Sequence, residues 1–573
     1  MSRTVSRKVL CPEDGDPQTA ELVSQGRTIG CFQIESPGMR SLLRMLRCRN
    51  RLDVIHALSL IRPGPSGSGM KERFIRRRLG EEPTTYTHPN LEPVLKETYG
   101  VMLFQEDVLK VAQVIAGFSL EEGDALRKAI SKERSPERVA ALRERFVAGA
   151  AGNGVAADVA DEIWRQIQNF AGYSYCKAHA VTYGYISWQA AWMKAHHPAE
   201  FMAAVMANGG GFYDTREYCE EARRLGVRIL PPDIMLSGIA HSGSAGELRI
   251  GLAQVKGITE RALRSILTAR EKRPFTGLDD FFFRTQVNES EAEHLILCGA
   301  LDRFGQPRPV MMWRLRLLCR EVSGQSSGHN TFRPSRKVLC PEDSATTGTQ
   351  YFPRRPESFV SRSSLSRHPE IGRTHRDTNS GTHRDATLSR NTHRDTKLSE
   401  TSGKYCVPDR IPESNVSRTV FRTVSPELFP EPSVVAPARV PDLPEFSIEK
   451  RIALEQEVLD LAVTAHPLSL YEPQIAERRF VPSNRLEEHV GRDVTVVGWL
   501  VTTRRAVTRK HEYMKFLTLE DRFGTMEVVL FPDAYRQFGQ RVTDSGPYVV
   551  RGRVEANHRS VGITAAWVDR FEN

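Results

Sequence analysis

The first three hundred residues are patterned as helices. In Gln105–Ala116 the apolar positions Val108, Val111, Ala112 and Ile115 fall on one face of a 3.6-residue period, and Gly117 supplies a stop. Ser135 and Pro136 open another helix as N-cap and first position. A further helix runs through Tyr185, Trp188 and Trp192. Pro63, Pro65 and several glycines cut the block into many short helices.

From about residue 322 to 440 the pattern disappears. Ser, Thr, Arg, Pro and His dominate, with few large aliphatic residues. Such a chain buries too little apolar surface to offset its ordering entropy, which predicts a disordered insert. Thr-His-Arg-Asp occurs at Thr374, Thr382 and Thr392, Ser6–Asp14 recurs identically at Ser335–Asp343, and Ser2–Val5 recurs at Ser417. Solenoid repeats keep a fixed period and an apolar face, and these have neither. A repetitive genetic element translated in frame accounts for them, and it marks residues 1–15 as repeat-derived.

Near the C-terminus, the chain becomes strand-like. After a helix at Ile448–Leu461, β-rich runs occupy Val494–Leu500, Tyr513–Leu519, Met526–Phe531, Tyr548–Val554 and Val561–Thr564. Short strands at this density predict a small closed barrel, an OB-fold. The expected fold class is multidomain and mainly α, with a C-terminal β-barrel and a disordered insert. The expected segments are 1–15, a helical domain at 16–235, a hairpin region at 236–321, the insert at 322–440, a helical linker at 441–485 and the barrel at 486–573.

Composition adds modest constraints. The 573 residues are 40% hydrophobic and 26% charged, enough to build packed cores. A net charge of +10 is compatible with a nucleic-acid partner without requiring one. The nine cysteines are scattered, with no Cys-x-x-Cys, so they form neither a disulfide framework nor a zinc ribbon. No apolar run approaches a membrane span and the N-terminus lacks a signal-like core, so the expectation is a cytoplasmic protein with no membrane partner.

Several strings carry candidate chemistry, each with two readings. Arg62 enters the Pro/Gly turn Ile61–Pro65, which is either a phosphate-binding turn or a rigid interhelical connection with a solvated Arg. In Phe170–Tyr183, aromatic residues interleave with Lys177 and His179, as a base-stacking site would require and as a core stripe would also show. Gly251–Thr259 reads as a helix-hairpin-helix, whose glycine turn offers amides to a duplex phosphate. Its usual second glycine is Thr259 here, a weaker hairpin follows at Leu295–Gly305, and a plain packing unit is the alternative. In the barrel, Arg504, Arg505, Arg509, Lys510 and Lys515 surround one hairpin with Tyr513 and Phe516, as a single-strand surface or a solvated tip.

Taken together and in order, these strings resemble the fingers, hairpin and barrel of bacterial polymerase III alpha subunits. Gly30–Met39, Tyr99–Glu106, Leu126–Ile130, His197–Ala204 and Leu230–Ile234 belong to the same pattern. The resemblance covers nearly all of 16–320 and resumes from about 427. It implies nucleotide or template contacts for Arg62, Arg127, Lys128, Lys177, His179 and Tyr183. It implies DNA contacts for Lys256 and Gly257, while the OB-fold expectation favours single-strand contacts for Arg504, Arg505, Lys510, Tyr513 and Phe516. Leu428 and Phe429 occupy the place of a sliding-clamp peptide, lacking its usual leading Gln, or belong to a linker. Implied partners are primer-template duplex, single-stranded template, a dNTP, a sliding clamp and a separate N-terminal polymerase half.

In that family the palm aspartates that hold two Mg²⁺ ions lie upstream of the Gly30 string. The expectation is therefore a chain without catalytic residues or a metal site of its own, with Mg²⁺ entering only with a separate palm. The alternative is a non-catalytic DNA-binding or clamp-interacting remnant of a disrupted polymerase gene.

Overall fold

A computed structural model describes residues 14–61, 69–130, 136–171, 175–324, 441–508 and 510–571. The predicted insert, the repeat-derived first residues, Arg62, Ser135, Leu428, Phe429 and Arg509 lie outside the described residues, save Asp14 and Gly15 of the N-terminal segment and the described ends of the insert, 322–324. Among the described residues no helix is long and apolar enough to cross a membrane.

The predicted amphipathic helix is Gln105–Ala116, and Gly117 ends it at φ +63, a left-handed conformation that glycine adopts without strain. It buries Val108, Val111, Ala112 and Ile115 against the helices Pro136–Gly152 and Ala157–Ala171, where Phe118, Phe146 and Trp164 pack together. A neighbouring core joins the helices Pro37–Leu46 and Arg51–Leu60 to the long helix Lys177–His196 through Leu42, Leu43, Val54, Leu58 and Trp188. Gly184 permits the close crossing, because a Cβ there would meet Ile55 Cγ1 at 2.4 Å.

Helices Pro198–Asn208 and Thr215–Arg224 then lead to a small sheet of β1 (Arg228–Leu230), β2 (Ser242–Ser244) and β3 (Glu247–Arg249), in the order β1-β3-β2. The hairpin region follows as the helices Glu260–Lys272, Leu278–Arg284, Glu289–Leu297 and Arg308–Gly324, and the helix Ile448–Leu459 packs into the same core.

The barrel strands are β4 (Asp493–Val507), β5 (Tyr513–Glu520), β6 (Thr525–Leu530), β7 (Tyr548–Asn557) and β8 (Ser560–Arg570). They close in the order β4-β5-β6-β8-β7, with β6 and β8 parallel and the other pairs antiparallel. A short helix, Pro532–Phe538, joins β6 to β7. This is the OB topology the strand pattern predicts. Val496, Leu517, Leu519, Val528 and Val550 fill its interior by alternation.

Helix Thr215–Arg224 ties the barrel to the helical block. Lys194, with no exposed surface, pairs with Glu221 at 2.6 Å, and Arg224 bridges Glu221 at 3.0 Å to Glu520 of β5 at 3.1 Å. Arg216 donates to the Leu500 carbonyl of β4 at 3.0 Å. Breaking one side of a buried pair typically costs about 3–5 kcal/mol, so these charges fix the junction firmly.

Candidate nucleotide and nucleic-acid site

Two backbone contacts fix the start of the helix Lys177–His196. The Glu106 carboxylate accepts the Lys177 N–H at 3.0 Å, and the Tyr175 carbonyl accepts the Gln105 N–H at 3.0 Å. These contacts anchor the helix start on the first turn of Gln105–Ala116. Positions 175, 179 and 183 then repeat along one side of the helix start.

Four rings follow one another there. Tyr175 meets His179 edge-on at 5.4 Å, His179 meets Tyr183 at 4.1 Å, and Tyr183 stacks on Phe32 at 5.3 Å with planes 18° apart. His179 is exposed and Phe32 is 42% exposed, so the row is a surface feature rather than a core stripe. The string at Gly30 contained Phe32, yet its ring became a candidate only once the fold set it against Tyr183.

The cations beside the rings are held by carboxylates. Lys177 pairs with Glu97 at 2.8 Å, and its ammonium lies 5.3 Å from the Phe104 ring centre. His56, 3.7 Å away, and Lys177 hold the Glu97 carboxyl down at about 2. Arg127 and Lys128 share Asp124, at 2.7 and 2.8 Å, and those two bonds lower its pKa. Arg127 also reaches Gln105 at 3.5 Å, which connects it to the turn that seats Lys177. Asp107 has a different task. It accepts the Leu103 and Phe104 N–H groups, and burial pushes its pKa up to about 6.

The hairpin at Gly251–Thr259 forms around Gly257, at φ +75, and Thr259 caps the helix Glu260–Lys272. Several of its groups have partners within the chain. The Lys256 N–H donates to the Val458 carbonyl, and Lys256 Nζ pairs with Asp460 at 2.7 Å. The Glu291 carboxylate accepts the Thr259 N–H at 2.9 Å. One face of the following helix opens on a groove of about 690 Å³ lined by Arg261, Arg264, Lys272 and Arg284.

The barrel residues named from sequence do not share one face. Register pairs Arg504 with Phe516, Arg505 with Lys515 and Val507 with Tyr513. Directly paired residues point the same way, so Arg504 and Phe516 lie on the outer face while Arg505 and Tyr513 lie on the other side of the ribbon. Lys515 is occupied, donating to the Val542 carbonyl at 3.1 Å and to that of Gly539 at 3.4 Å. Lys510 stands in the turn that joins β4 to β5.

The glycine hairpin and the five-stranded OB barrel are folds of the nucleic-acid-binding class, and the exposed ring row stands beside cations on the same chain. Family models make this specific. Residues 9–154 match the bacterial DNA polymerase III alpha subunit finger domain, 226–311 a helix-hairpin-helix motif and 494–565 an OB-fold nucleic acid binding domain. The DNA polymerase III subunit alpha of Aquifex aeolicus is 30% identical over 543 residues, covering 94% of this chain and 37% of that protein. That of Pseudomonas aeruginosa is 31% identical over 560 residues, covering 96% and 41%. An error-prone DNA polymerase of Symbiobacterium thermophilum is 29% identical over 580 residues, covering 96% and 46%. The chain is thus a homologue of bacterial DNA polymerase III alpha subunits, and it spans about two fifths of the length of the relatives it matches.

Proposed function

We propose that this chain supplies the nucleotide-positioning and DNA-holding part of a template-directed DNA polymerase. The observation that carries the reading is the exposed row Phe32–Tyr183–His179–Tyr175 beside Lys177. Bases stack on such rings, and a triphosphate competes with Glu97 for the ammonium. Arg127 and Lys128 reach further phosphate oxygens once Asp124 releases them, with Arg62 proposed to act with them. The hairpin region grips duplex through phosphates, and the barrel holds single-stranded template.

The Mg²⁺-holding carboxylates are proposed to come from a separate N-terminal half. Two metal ions would activate the primer hydroxyl and stabilise the leaving pyrophosphate there. Clamp binding through Leu428 and Phe429 belongs to the same proposal. A primer-extension assay on the purified chain, with Mg²⁺ and dNTPs, is expected to give no product while the chain still binds the primer-template. Extension by this chain alone would overturn the placement of the metal chemistry elsewhere.

A further inference from the structure

An OB barrel offers nucleic acid its second and third strands together with the loops between strands one and two and between strands four and five. In this barrel those parts are β5, β6, the β4–β5 turn and the β7–β8 turn. The helical block of the same chain has taken about half of them.

Alternation breaks on this half. Leu517 and Leu519 face the barrel interior, so Thr518 and Glu520 face out, yet these are only 2% and 1% exposed. Helices cover them. Arg224 reaches Glu520 at 3.1 Å, and Arg40 donates to the Thr525 hydroxyl of β6 at 2.9 Å. Glu527 pairs with Thr518 across the strands and lies near Arg40 and Arg44. The β7–β8 turn is held as well, His558 by Glu81 at 3.4 Å and Ser560 by Ser41 at 2.7 Å. The covered half is acidic, which also disfavours phosphate.

The other half is open and differently built. Arg504, Phe516 and Val529 form one cross-strand row on the outer face. Phe516 is 38% exposed. Phe531 follows the end of β6 as the extended cap of the helix Pro532–Phe538, two residues past Val529, and is 46% exposed. The open half thus carries two exposed aromatic residues and an arginine, with Arg504 and Phe516 on the strands that lead from the turn holding Lys510.

We propose that the barrel face is divided: Thr518, Glu520, Thr525 and Glu527 dock the barrel on its own chain, and the bases of single-stranded nucleic acid stack only on a platform of Phe516 and Phe531, beside Arg504. This rests on the single-strand reading above and adds Phe531 as a stacking residue. Rows on one strand face are about 7 Å apart, so the open half accommodates about three to four nucleotides, the low end for an OB-fold.

The test is fluorescence anisotropy of the full chain with labelled oligo-dT of increasing length. Affinity is expected to level off at about four nucleotides, with Phe516→Ala and Phe531→Ala each weakening binding about tenfold. Glu520→Gln should leave affinity unchanged. Affinity still climbing beyond about eight nucleotides, or strengthened by Glu520→Gln, would overturn the division, and the length series needs no variant. Binding that ignores both phenylalanines would overturn the platform. Failure of every oligonucleotide to bind the native chain would instead sink the single-strand reading itself, and the division with it.

Discussion

The fingers-like site and the barrel hairpin both present cations beside exposed rings, but they hold those cations differently. Lys177, Arg127 and Lys128 rest on Glu97 and Asp124. Arg504, Arg505 and Lys510 form no ion pair among the described residues. A pre-paired cation binds an anion only when that anion out-competes the carboxylate, which favours a compact, multiply charged triphosphate over a single diester phosphate. Bare cations on a ribbon attract any backbone, with strength set by salt. Under the proposed function, the difference makes the first site one of discrimination and the second one of grip.

The largest effect should come from breaking the first site. Lys177→Met should weaken dNTP binding about 10- to 100-fold, the range of a lost charge-assisted bond, and leave oligo-dT binding unchanged. Titration calorimetry with a dNTP and with the oligonucleotide checks both, and equal losses would merge the two sites into one. Next comes salt. If three bare cations bind single strand, the slope of log affinity against log salt is about −2, or about a twentyfold loss between 50 and 200 mM salt. Changing Arg504, Arg505 and Lys510 to Gln should flatten that slope, and a slope that stays put would remove them from the interface.

The smallest effect concerns the helix that joins the two regions. Burial, beside Glu520, pushes the Glu220 carboxyl up to about 7, above its ordinary value of 4.5. Between those values the folded state holds the proton and the unfolded state does not, so this group lowers stability as pH rises from about 4.5 to 7. The melting temperature should fall by a few degrees over that window on its account, and Glu220→Gln should remove the slope. An identical slope in the variant would show that Glu220 does not govern it.

Much of this organisation was legible in the chain. Runs of β-branched and aromatic residues located every barrel strand, although β4 and β8 continue past the runs that marked them. Helical period and Gly117 located Gln105–Ala116. What local pattern could not show was pairing across the fold. Phe32 lies 151 positions from Tyr183, and its loop is held against that helix by the Ser187 hydroxyl, which donates to the Phe32 carbonyl at 2.8 Å. Asp124 and Glu97 were invisible as partners because nothing in sequence separates a solvated carboxylate from one that sits on a cation. The barrel cluster misled for a related reason. Arg504 and Arg505 are neighbours in sequence and opposites on a ribbon, so proximity along the chain predicted a shared face that period two forbids.

The central claim is that the ring row beside Lys177 receives the nucleotide. Photolabelling the native chain with an azido-dATP and mapping the modified peptides by mass spectrometry tests it most directly. The account predicts label on the segments carrying Phe32 and Tyr175–Tyr183, competed away by unlabelled dNTP. Competable label confined to the barrel or the hairpin region, with none on those two segments, would contradict it.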